Sequence, residues 1–106
     1  MFGDLMGKLH EMQQNVKDAK ERLETVSVAG ESSDGRVRVI VNGNKVVKSV
    51  HMDETLRSAD PEELEDLLIL AINRALEQAE KLHKAEMSAA TGNLLPPHLS
   101  QMLQNS

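Results

Sequence analysis

Apolar residues at Leu5, Leu9, Met12, Val16, Ala19, Leu23 and Val26 alternate between spacings of four and three. A stripe of period 3.5 lies on one side of a helix and calls for a partner helix. Between these positions stand mostly Asp, Glu, Lys, Arg, Gln and Asn, so only a narrow line needs cover. No Pro interrupts Phe2 to about Glu24, and Gly3 and Gly7 fall in the first two turns. This stretch predicts the first helix.

The period then changes from helical to alternating. Val26 and Val28 alternate with Thr25 and Ser27, which predicts a strand over 25–30. Glu31-Ser32-Ser33-Asp34-Gly35 is turn chemistry, and Arg36-Val37-Arg38-Val39-Ile40-Val41 is the clearest strand, with valine at every odd position. Asn42-Gly43-Asn44 supplies residues that tolerate positive φ, so a tight hairpin should return the chain through Lys45 to Met52. There Val46 and Val47 fall on opposite faces, which predicts a bulge or an edge position. The three strands make an antiparallel meander.

A second helix is announced by Asp60 as N-cap, Pro61 at the first helical position and Glu63 completing a capping box. Glu62, Glu65 and Asp66 add negative charge at its positive end. It runs to about Ala90, where Thr91-Gly92-Asn93 stops it and Pro96-Pro97 prevents renewal. A helix of about 30 residues is a rod of roughly 45 Å, longer than the roughly 33 Å diameter of a compact chain of this size. The rod must protrude or be packed on by another chain. Leu64, Leu67, Leu68, Ala71, Ile72, Ala75, Leu76, Ala79 and Leu82 form its broad apolar face, widened by Ile69 and Leu70. That face is the expected neighbour of the first helix as well as of the sheet, with a second subunit covering the rest. Ala71, Ala75 and Ala79 allow close approach, and two stripes on one small sheet make a homodimer the economical solution.

The fold class is therefore α+β, an α-β-β-β-α subunit with one domain over residues 1–92 and a tail over 93–106. At 106 residues the core is modest. Phe2 is the single aromatic, which excludes aromatic base-stacking platforms. Absence of Cys excludes disulfides and thiolate metal sites. No basic-then-apolar leader opens the chain and no apolar run reaches membrane-spanning length, so the expectation is a soluble, intracellular protein without a membrane partner. The net charge of −5 divides unevenly, as −1 over residues 1–24, +2 over 25–52 and −6 over 53–106. Phosphate contacts would have to come from local patches.

Three stretches in order, MFGDLMGKLHEMQQNVKDAKERLETVSVAGES, GRVRVIVNGNKVVKSVHMD and ELEDLLILAINRALEQAEKLHKAEMSAATG followed by LLPP, resemble the YbaB/EbfC family of bacterial nucleoid-associated proteins. The resemblance spans nearly the whole chain. Its most specific parts are the VNG hairpin followed by Val50-His51-Met52-Asp53, the Leu64-Glu65-Asp66-Leu67 stretch followed by Ala71-Ile72-Asn73 and Ala75, and the Leu-Pro-Pro ending. It implies a homodimer whose paired sheets form a shared body and whose long helices project like the arms of tweezers. It also implies binding of double-stranded DNA with weak or variable sequence preference, an influence on nucleoid organisation and gene expression, and a place in the cytoplasm at the nucleoid. Arg74 stands where members often carry an acidic residue beside the Asn.

DNA-contact candidates are the cations that can reach a phosphate backbone together. Lys17, Lys20 and Arg22 cluster near the end of the first helix with Lys8 two to three turns earlier, and Arg74, Lys81 and Lys84 lie on the less acidic half of the second. Each has a competing role, because Lys17 with Glu21, Lys20 with Glu24, Glu77 with Lys81 and Glu80 with Lys84 are surface pairs at helical i,i+4 spacing. Arg36 and Arg38 share a strand face, where they either offer two cations or cover the sheet with their stems.

No catalytic constellation, cofactor site or small-molecule substrate site emerges. His10, His51, His83 and His98 lack paired metal-ligand spacing. Glu62, Glu63, Glu65 and Asp66 read as helix N-terminal charge rather than an acid/base pair. Gly35, Gly43 and Gly92 are isolated turn or cap residues, and Met6, Met12, Met52, Met87 and Met102 are flexible filling. Two functions of different class follow: a dimeric, sequence-tolerant DNA-binding protein, and a dimeric protein-interaction scaffold of the same fold that uses acidic arms without binding DNA.

Overall fold

The computed structural model describes residues 2–92; the expected tail over 93–106 and its Pro96-Pro97 stop lie outside them. Helix α1 spans Phe2–Glu24, β1 Ser27–Glu31, β2 Val37–Asn42 and β3 Val47–Met52. A short 3-10 helix over Glu54–Ser58 precedes helix α2, Pro61–Thr91. The strands form one antiparallel sheet in the order β1-β2-β3. Expected helix limits hold within a residue, whereas each strand starts one or two residues later than the alternation suggests. The 3-10 helix was not foreseen. Asp53 caps it, its carboxylate accepting from the Thr55 N–H at 2.9 Å and the Thr55 hydroxyl at 2.8 Å.

One face of the sheet is dry because α2 lies on it. Val37, Val39 and Val41 of β2 are fully buried with Ala71, Ala75 and Ala79 of α2. The small side chains bring α2 in close, and Gly30 of β1 completes the fit: a Cβ there would overlap the backbone of Ala71 and Ala75. β1 and β2 carry α2; β3 extends beyond it. Val47, Val50 and Met52 pair with Val41, Val39 and Val37, so they share the dry face by register, yet all three are exposed. The predicted irregularity of the last strand is present, since Ile40 pairs with Ser49 and Val41 with Val47, leaving Lys48 as the extra residue on an edge strand.

The first helix finds its partner elsewhere than expected. Ala19 and Leu23 are buried with Met87 and Ala90, and Val16 and Leu82 pack against them. The neighbour of α1 is thus the last third of α2, because residues Leu64 to Ala79 are already taken by the sheet. Pairing so far along α2 lengthens the molecule, which measures 68 × 24 × 16 Å. The long rod does protrude, and α1 with the end of α2 forms an arm.

Two local expectations are corrected. Asp60 takes the N-cap position, but its side chain makes no capping hydrogen bond, and the Glu63 carboxylate that would complete the box accepts instead from Arg36 at 2.8 Å. In the hairpin the positive φ falls on Lys45, at 67°, and not within Asn42-Gly43-Asn44. Asn42 accepts at its carboxamide oxygen from the N–H groups of Asn44 and Val46, which fixes a three-residue loop ending in a left-handed residue. Gly43 is needed for proximity: its N–H donates to the Leu23 carbonyl at 2.9 Å, and a Cβ would press on Leu23. Gly92 ends α2 as expected, in the left-handed conformation.

Candidate nucleic-acid interface

The cations divide by whether the fold has already given them a carboxylate. Arg36 is the most committed. Its Nε donates to Asp34 at 2.6 Å and its Nη2 to Glu63 of α2 at 2.8 Å, which together hold its proton more firmly than usual. The turn before β2 is built for this. Asp34 accepts from the Arg36 N–H, the Arg36 guanidinium and the Ser32 hydroxyl, so its carboxyl is drawn down from 3.8 to about 2. Arg36 and Arg38 were expected to share one face; the structure instead ties Arg36 to the turn and α2, while Arg38 meets Glu31 at 3.5 Å.

At the sheet edge, Arg38 and Arg74 are brought together. With Ala29, Gly30, Glu31, Ser32, Glu77 and Gln78 they line an open groove of about 550 Å³. Arg74 donates to the Glu31 carbonyl at 3.0 Å and meets no carboxylate among the described residues. Its charge is oriented but not neutralised. Lys81 lies two helical turns further along α2, about 10 Å at 1.5 Å per residue and on nearly the same side.

Along the arm, Arg22 crosses from α1 to Glu86 of α2 at 3.3 Å. Glu80 gathers two lysines, Lys45 at 2.7 Å and Lys84 at 3.7 Å, and the hydrogen bond from Lys45 lowers its pKa. Lys20 is drawn to the same place, since its carbonyl accepts from the Asn44 carboxamide at 2.9 Å, beside Lys45 in the hairpin. Lys45 was missed in the sequence because its role depends on a turn that brings residue 45 to residue 80. Of the four i,i+4 pairs considered, Glu80–Lys84 forms. Lys17–Glu21, Lys20–Glu24 and Glu77–Lys81 do not close among the described residues, so Lys17, Lys20 and Lys81 keep unneutralised charges, as does Lys8 beside the end of α2.

Such a set of cations can attract phosphates but offers little to read a base. Among the described residues no group of three His, Cys, Asp or Glu is placed to hold a metal ion, and no helix is long and apolar enough to cross a membrane.

Comparison with known proteins gives a consistent result. The model of the YbaB/EbfC DNA-binding family matches residues 1–94. A nucleoid-associated protein of Flavobacterium johnsoniae is 38% identical over 92 residues, covering 87% of this chain and 86% of that protein. One from Hahella chejuensis is also 38% identical, over 98 residues, covering 92% and 91%. The crystal structure of an uncharacterized protein from Helicobacter pylori has the same fold, with a TM-score of 0.73 at 25% identity over 80% of this chain and 90% of that one.

Proposed function

Because this chain belongs to the YbaB/EbfC DNA-binding family, we propose that it is a nucleoid-associated protein that binds double-stranded DNA as a homodimer, with weak or variable sequence preference, in the cytoplasm at the nucleoid. The observation that carries this reading is the set of cations left without a carboxylate: Lys8, Lys17, Lys20, Arg74 and Lys81. Arg22, Arg36, Arg38 and Lys84 would have to give up an ion pair to reach a phosphate, whereas these five need not. Contacts of this kind position a protein on the backbone without reading sequence. Effects on nucleoid organisation and gene expression would follow from coating and bridging rather than from recognition of a single operator.

The homodimer is supported by the overhang of β3. Val47, Val50 and Met52, with Ile69 exposed on α2, form an apolar surface on a sheet edge that a second copy can cover. Doubling the arm cations across one duplex makes weak contacts add.

Gel-shift titration on duplex DNA at low and moderate salt tests the reading. Retarded complexes at low salt that weaken steeply as salt rises are expected. No binding at low salt, or binding indifferent to salt, contradicts it and favours the scaffold with acidic arms; a stoichiometric protein partner that survives nuclease treatment would then be sought.

A further inference from the structure

The α1 seam ends in the open. The last turn of α2 lies against the first half of α1, where Ala89, Ala90, Thr91 and Gly92 face Lys8, Glu11, Met12 and Asn15 across a cleft of about 300 Å³. The turns of α1 before Lys8 run past the end of α2 by roughly 9 Å at 1.5 Å per residue. On them stand Leu5, Met6 and Leu9, respectively 54%, 64% and 43% exposed. Leu5 and Leu9 continue the same four-and-three spacing as Val16, Ala19 and Leu23, which α2 does cover. The seam is one surface with half its cover.

The chain itself continues from the point where the cover stops. Gly92, at φ 61°, donates its N–H to the Ala89 carbonyl and turns the backbone off the helix axis beside Met12. Residues 93–106 carry Leu94, Leu95, Leu99, Met102 and Leu103 and no Asp, Glu, Lys or Arg. A segment without charged side chains and with five large apolar ones needs a surface of its own. We propose that Leu94, Leu95 and the apolar residues after them cover Leu5, Met6 and Leu9 of the same chain. Reach is ample: Leu94 is two residues beyond Gly92, or about 7 Å of extended backbone, and Leu9 is within one helical turn of Met12. A tether this short sets an effective concentration of order mM, above that of a second copy in solution. The consequence is a closed arm. A bare apolar tip on each arm of a dimer would join dimers end to end without closure, and the chain's own segment occupies that surface first. This inference depends on neither DNA binding nor the mode of dimerisation.

The chain has no cysteine, so engineered thiols report without background. In full-length protein carrying Leu9→Cys and Leu95→Cys, mild oxidation at low protein concentration should give an intramolecular disulfide of monomer mobility, about tenfold faster than the pair Leu9→Cys and Ile69→Cys. A covalent dimer as the main product would assign the tip to a second copy and overturn the proposal. So would two thiols that stay free. Independently, Leu9→Cys alone should be alkylated about tenfold faster once Leu94→Asp and Leu95→Asp are added; an unchanged rate, with helical content retained, overturns it.

Discussion

Along α2, the half that lies on the sheet and the half that pairs with α1 differ in how closely they pack and in what their charges do. On the sheet, Gly30 admits the backbone of Ala71 and Ala75, three valines are fully buried, and the nearby Arg36 is held by two carboxylates. In the arm, a thinner seam of Ala19, Leu23, Met87 and Ala90 leaves Lys17, Lys20 and Lys81 without carboxylate partners. The body commits its cations to its own fold. The arm leaves them for another molecule, and because they hold nothing in place they can be changed at little cost to stability.

The sharpest test of the body is Gly30→Val. A side chain there must displace helix backbone, and unlike a core side chain, backbone cannot rotate away. Destabilisation of about 3 kcal/mol or more is expected in urea unfolding; a loss under about 1 kcal/mol would mean that α2 does not touch β1. The arm should answer more mildly. Leu23→Ala removes a fully buried side chain at the root of the seam and should cost about 2–3 kcal/mol, with loss of protection from hydrogen exchange in α1 before the sheet.

Val50→Lys probes the overhang that neither half covers. Val50 is 41% exposed in one subunit, so the subunit itself should change by less than about 1 kcal/mol. Light scattering should nonetheless show the dimer mass halved; a dimer of unchanged mass would place the interface elsewhere. The smallest effect is confined to acid. Asp34 binds its proton at about 2 in the folded chain against 3.8 in the unfolded one, so its stabilisation is complete above about 3.8 and is lost as pH falls through about 2. Asp34→Asn should therefore flatten the decline in Tm between pH 5 and pH 2. A curve parallel to the parent would show that the turn contributes nothing.

Both helices and the meander were legible because period and punctuation are local: Gly92 stops a helix wherever it packs. What covers a stripe is not local. The spacing of Leu5 to Leu23 named a face, but its partner was misassigned to Leu64–Leu82, since nothing in the sequence says that the sheet occupies most of that face and leaves Leu82, Met87 and Ala90 for α1. Gly43 illustrates the same limit, as its motif suggested backbone freedom while its role is contact with Leu23. Charges behaved likewise. Helical spacing proposed pairs four residues apart, whereas the contacts that neutralise Arg22 and Lys45 join residues 64 and 35 positions apart. Those pairs exist only once the arm and the hairpin are folded.

The division between committed and uncommitted cations is the central claim, and duplex affinity measured across salt concentration tests it most directly. Three proteins are compared: the parent, Lys17→Gln/Lys20→Gln/Lys81→Gln, and Arg36→Gln/Arg38→Gln. The lysine variant should keep its stability within about 0.5 kcal/mol, bind about 10–100-fold more weakly at low salt, and lose about 0.9 from the slope of log K against log salt for each phosphate contact removed. The arginine variant should keep the parental slope. Equal slopes for the parent and the lysine variant, or a loss carried by the arginines instead, would contradict the account.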